Sequence, residues 1–251
     1  MAQSLYLNGC DRDIGKATQS IETARDNTRR AAAYTERGKA YSEKARYSRA
    51  FKLISADEYG RLFGLALQDH DQATALDPAN AVAFFSRGEA YYDRAVLEEG
   101  ADTKKLWFDR AGADFKKAVE KDSRHYLAWD RLGLVHESTG DFDQAIADYT
   151  QEMALDPLGR MRLADAYCAR GSANQTNKKY DAATADYEKS IEIGASADGC
   201  SCDPYDPLVG LYDEASRYDK GWEVVHKAQK SRKSIAPELL EKLKKDSGRS
   251  N

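Results

Sequence analysis

The chain has 251 residues, of which 41% are hydrophobic and 32% charged, and 38 Lys and Arg stand against 42 Asp and Glu for a formal net charge of −4. That near-balance argues against nucleic acid as the main partner, and no apolar run approaches the length of a membrane span. The four cysteines, Cys10, Cys168, Cys200 and Cys202, are too few for a disulfide scaffold in a chain this long. Met1-Ala2-Gln3-Ser4 carries no basic and then apolar leader. Of a cytoplasmic chain and an exported mature chain with Met1 added, the second is preferred, since Ala-Gln-Ser resembles a sequence following a cleavage site.

The chain then repeats itself. Cys10 to Ile21 lines up with Phe142 to Met153, so residues 1–30 read as a lone second helix that caps an array. Cys10 takes the place of Phe142, a half-buried position, and is expected to be a small hydrophobe. Tyr34-x-x-Arg37-Gly38-x-x-Tyr41 opens a first helix pair, whose second helix carries Ala66, His70 and Ala73 and closes at Asp77-Pro78. Phe84-x-x-Arg87-Gly88-x-x-Tyr91 opens another, with Ala111, Phe115 and Ala118 in its second helix. Trp129-x-x-Leu132-Gly133-x-x-His136 is followed by Ala145, Tyr149 and Pro157, and Tyr167-x-x-Arg170-Gly171 by Ala183, Tyr187 and Ile191. Tyr205-x-x-Leu208-Val209-x-x-Tyr212 is a weaker version, after a loop expected over Ser196 to Pro207. Residues 234–251 begin with Pro237 and carry an apolar stripe of Leu239, Leu240 and Leu243. They predict a capping helix with a disordered end from Ser247.

In each unit the large residue, the glycine and the aromatic fall three and four apart, on one helical face. The small Ala and Gly positions are where a second helix crosses closely. Trp129 to Pro157 carries this pattern most fully and resembles the tetratricopeptide (TPR) repeat, with its period of about 34 residues. The resemblance implies an all-α, right-handed α-solenoid of antiparallel helix pairs, about five of them over residues 31–233. The first two pairs hold about sixteen and about eleven residues more than the standard period allows. Both inserts fall between the helices of a pair, around Lys44–Glu58 and Glu98–Asp102, and predict a bulge on one edge; the first predicts a longer first helix, a loop and a second helix capped near Ser55 or Asp57. Trp129 is expected in the core, and His136 is read as a packed histidine.

Nothing in the sequence reads as an enzyme. The four histidines make no metal pair at helical spacing, and there is no phosphate loop or nucleophile elbow. Cys200-Ser201-Cys202 is the one chemical signal. It could bind a soft metal or cycle as a thiol pair. Against that stands a loop with free thiols, or one thiol bridged to a neighbour such as Cys168, and this second reading is preferred. Asn174-Gln-Thr176 matches a glycosylation acceptor, but it falls within a predicted helix and is taken as chance. No cofactor is expected.

TPR relatives bind peptides or partner helices along a concave groove lined by the first helix of each pair. Carried onto this sequence, the groove positions include Glu43, Phe85, Glu89, Tyr92, Asp93, Leu127, Asp130, Leu134, Glu137 and Asp165. Only Lys39 suits the carboxylate clamp of chaperone-binding members, so no such clamp is expected. The remaining acids, with an apolar floor of Phe85, Tyr92, Leu127 and Leu134, predict a scaffold or adaptor that binds a basic or amphipathic peptide. Self-assembly through the open end or the inserted edge is a second reading.

Overall fold

The computed structural model describes residues 2–194 and 202–249. Among them are twelve α-helices, one short 3-10 turn and no strand. The class is all-α, made of helix pairs of the α-solenoid type. The chain divides into two compact units, Met1–Val135 and His136–Asn251.

The first unit holds α1 (Ala2–Thr23), α2 (Asn27–Ala50), α3 (Ala56–Leu76), α4 (Ala81–Leu97), α5 (Ala101–Lys121) and most of α6 (Tyr126–Ser138). Local chemistry sets the helix starts. The Asp26 carboxylate accepts from the Arg29 amide at 2.7 Å, the Ser55 hydroxyl from Glu58, and the Asn80 side chain from Val82 and Ala83. The surplus residues of the first two pairs lengthen the helices instead of forming long loops. The helices α2 and α3 run for 24 and 21 residues, and α4 and α5 for 17 and 21. Only residues 51–55 and 98–100 remain as connections. Aromatic rings pack the added turns. Trp107 meets Phe63 edge-on and stacks on Tyr91, each at 5.8 Å, and Arg110 lies 4.9 Å above its indole.

Small residues let these helices nest. Ala31, Ala40, Ala66, Ala73, Ala83, Ala90, Ala111 and Ala118 are all buried. A methyl added at Gly38 would sit 2.7 Å from the His70 ring, and one at Gly88 would sit 2.7 Å from Phe115, so both crossings require glycine. Trp129 is only half-buried. It packs at the margin of the core cluster of Phe84, Phe115 and Leu132, and its indole N–H donates to the Ser123 carbonyl at 3.0 Å. The expectation of a core tryptophan is corrected accordingly.

The second unit holds the end of α6, then α7 (Phe142–Leu155), a 3-10 turn at Pro157–Gly159, α8 (Arg160–Thr176), α9 (Tyr180–Ile193), α10 (Tyr205–Glu214), α11 (Tyr218–Lys230) and α12 (Pro237–Ser247). Asp141 caps α7 through the Gln144 amide, and Pro157 prevents that helix from continuing. Gly171 repeats the close crossing: a methyl added there would sit 2.9 Å from the Tyr187 ring. The helix α10 begins at Tyr205, earlier than the expected loop allows, because proline in the first turn, here Pro207, forfeits no helical hydrogen bond. The core gathers Tyr187, Tyr205, Leu208, Tyr212, Trp222 and Val225, and Leu243 of α12 is fully buried among them. Ser247 is helical and accepts from the Trp222 indole at 3.1 Å, so the expected disordered end starts too early. Asn174 lies in α8 and its amide donates to Asp186 at 2.9 Å.

Candidate interaction cleft in the first unit

A recurring charged staple frames the site. In α2, α4 and α8 the residue before the crossing glycine is an arginine, and each stacks on the aromatic three residues earlier. Arg37 lies 5.5 Å from the Tyr34 centroid, Arg87 5.7 Å from Phe84 and Arg170 5.3 Å from Tyr167. Each grips with a two-pronged fork an aspartate buried on the second helix of its pair. Arg37 holds Asp69 at 2.7 Å, Arg87 holds Asp114 at 2.6 and 2.9 Å, and Arg170 holds Asp186 with a shortest contact of 2.6 Å. The outer nitrogen then reaches the preceding helix. Arg37 meets Thr18 at 3.3 Å, Arg87 meets Asp71 at 2.7 Å and Arg170 meets Asp143 at 2.6 Å. These hydrogen bonds to carboxylates hold all three guanidinium groups above their ordinary pKa. Sequence reasoning noted the arginines and missed the partners, although an Asp directly before the large second-helix residue recurs at Asp69, Asp114, Asp148 and Asp186. Where Leu132 replaces the arginine, His136 takes over, with Nδ1 2.6 Å from Asp148.

With the first unit's helices fixed in this way, Glu43 of α2 and Phe85, Glu89 and Asp93 of α4 come together on one cleft of about 180 Å³. Lys39, Ser42, Arg46 and Ser86 complete its walls, and His70 of α3 forms its floor. The acid in it is more fully paired than groove positions alone suggest. Arg46 approaches Asp93 at 3.7 Å, and Arg131 of α6 binds both Glu89 and Asp130 at 2.6 Å. Glu43 is exposed. Burial pushes the Asp93 carboxyl above its usual range, Arg46 pulls it down, and Glu89 pushes it up again.

His70 is the unusual member. It is fully buried, in the place that Phe115 and Tyr187 hold in their own pairs, and neither ring nitrogen has a partner. The Ser42 hydroxyl is likewise buried and unpaired. Burial, reinforced by Lys39 and Arg87, pushes the imidazole down to about 3, so the ring is neutral near pH 7.

The other groove positions fall elsewhere. Tyr92 meets Phe108 edge-on at 5.6 Å and belongs to the core margin. Leu127 is exposed, Leu134 half-buried and Asp130 buried. In the second unit, Glu137 accepts from the Tyr149 hydroxyl at 2.9 Å, and buried Asp165 accepts from the Cys202 amide at 3.2 Å. The sulfur of Cys202 is bonded to Cys168, which corrects the idea of a Cys200–Cys202 pair acting on metal or as a redox couple. Cys200 itself lies outside the described residues. No group of three metal-ligating side chains occurs among the described residues. Cys10 is buried and free, and burial raises its thiol pKa.

The family model of the tetratricopeptide repeat matches residues 126–157 and 164–193. These two stretches are tetratricopeptide repeats. The chain is similar to protein bimA of Emericella nidulans, 32% identical over 97 residues that make up 36% of this chain and 11% of that protein. It is also similar to anaphase-promoting complex subunit 3 of Schizosaccharomyces pombe, 29% identical over 92 residues, 37% of this chain and 12% of that one. The matched stretches therefore span only about an eighth of these curated relatives. Among solved structures it is similar to MamA, with 20% identity over 78% of this chain and 98% of that chain and a TM-score of 0.44.

Proposed function

We propose that this protein is a non-enzymatic scaffold whose first unit binds a basic or amphipathic segment of a partner protein along α2, α4 and α6. Repeats of this family generally mediate protein–protein interaction. What supports the finer reading is one observation: Glu43, Phe85, Glu89 and Asp93 meet on a single cleft, acid beside an aromatic ring. Charge of this kind governs partner choice and encounter rate, and the ring supplies desolvated contact area. On the same reading α1 and α12 cap the array, and the helix pairs between them are its repeats. Titration of a labelled basic amphipathic peptide tests it. Binding weakens several-fold in Glu43→Lys and falls with added salt. Binding indifferent to both changes refutes the acidic surface.

A second reading, self-association, draws on the tips of the lengthened pairs. Phe51 and Leu53 at one tip, and Val96, Leu97 and Leu106 at the next, are exposed apolar residues. Light scattering of the wild type and of Phe51→Glu tests it: a dimer that dissociates in the variant supports it, and a wild-type monomer removes it.

A further inference from the structure

We propose that the cleft floored by His70 is a subsite for a single arginine side chain of the bound segment. The guanidinium lies between α2 and α4, pairs with Glu43 and Asp93, rests against the Phe85 ring and donates to His70. This rests on the first unit being a peptide-binding surface and adds the residue that the surface reads.

Three unpaired polar atoms at one cleft start the argument: both His70 nitrogens and the Ser42 hydroxyl. Leaving such groups buried and unpaired is costly. Packing does not account for them, because the same crossing at Gly88 is filled by Phe115 and that at Gly171 by Tyr187. A donor-bearing ligand would supply partners for two of them, the bare His70 nitrogen and the Ser42 oxygen.

The chemistry selects a cation. Arg131 already holds Glu89 and Arg46 stands 3.7 Å from Asp93, so exposed Glu43 is the carboxylate most open to an incoming cation. A neutral imidazole offers one bare ring nitrogen, which accepts a hydrogen bond. Arginine fits better than lysine: its planar fork carries five donors in fixed directions and stacks on aromatic faces, whereas an ammonium is a strongly hydrated point charge. The segment carrying the arginine has a path onward. A second, wider cleft of about 590 Å³ between α1 and α2 shares Lys39 and Glu43 with this one and is lined by Asp13, Lys16 and Glu36.

The test uses the full chain with its histidines labelled by nitrogen-15. Blocked tripeptides Ala-Arg-Ala and Ala-citrulline-Ala are titrated, and the imidazole signals of His70 are assigned by their loss in His70→Phe. The expected result is a saturable shift of the His70 signals with the arginine peptide and about tenfold weaker binding of citrulline, which keeps the shape and loses the charge. Glu43→Gln and Asp93→Asn each weaken binding several-fold, and His70→Phe abolishes the specific site while keeping the helical circular dichroism. Equal binding of the two peptides overturns the proposal. So does binding that leaves the His70 signals unmoved, although the peptide-binding surface then stands. If the labelled amphipathic peptide of the preceding section also fails to bind, the surface itself is refuted with its subsite.

Discussion

The helix pairs α2/α3 and α4/α5 are built on one plan. Both are lengthened by added turns, both cross at a glycine, and both are stapled by an arginine that grips a buried aspartate. They part at the residue beneath the glycine, where α5 has Phe115 and α3 has His70. Identical framing around unlike floors shows that the site accepts a hydrocarbon ring. The polar ring in α3 is therefore an addition to the plan and not a requirement of it.

The comparison can be broken most severely at the staple. Asp114 is 3% exposed, so Arg87→Ala strands a buried charge, and an expected loss of about 3–5 kcal/mol should appear in urea denaturation. Arg37→Ala should cost a similar amount, because Asp69 is just as buried. A much smaller cost would mean that the two pairs are not equivalent.

Acid separates the pairs next. In the folded chain His70 is held to about 3, below its ordinary 6.5, so the unfolded chain takes up the proton first. Stability from this residue is whole above pH 6.5 and is lost as pH falls toward 3. By about pH 4.5 the loss is of the order of 2–3 kcal/mol, and His70→Phe should remove that part of the slope. At neutral pH the same variant should gain about 1–2 kcal/mol, since two unpaired nitrogens are replaced by ring carbons. Melting curves at several pH values check both statements. At the small end, Arg61 and Glu58 form an exposed pair on α3, as Lys105 and Asp109 do on α5, and Arg61→Ala should leave the midpoint unchanged.

The fold was legible because its signal is periodic and local. Gly38, Gly88 and Gly171 do sit at like crossings, each against the ring found there in the neighbouring helix. The staples were harder to read, since they join residues 16 to 32 positions apart. Counting groove positions told which face an acid occupies but not which cation reaches it, and so Arg46 and Arg131 were overlooked. His136 looked like packing alone, yet it substitutes for an arginine in holding Asp148. The surplus residues of the first pair go where a longer first helix and a second helix capped at Ser55 put them, because the cap is a local signal. His70 stood in the right small–large–small register, and only the buried, partnerless nitrogens revealed that it differs from Phe115.

The bond between Cys168 and Cys202 has a topological consequence. It joins residues 34 positions apart, so the whole of α9 lies inside a covalent ring. Lys178, Lys179 and Lys189 lie within that ring. A trypsin nick at any of them leaves one molecule with two new ends, which migrates intact on a gel until a reductant is added. In an oxidising compartment, where such bonds persist, the second unit can be cut there and still not come apart.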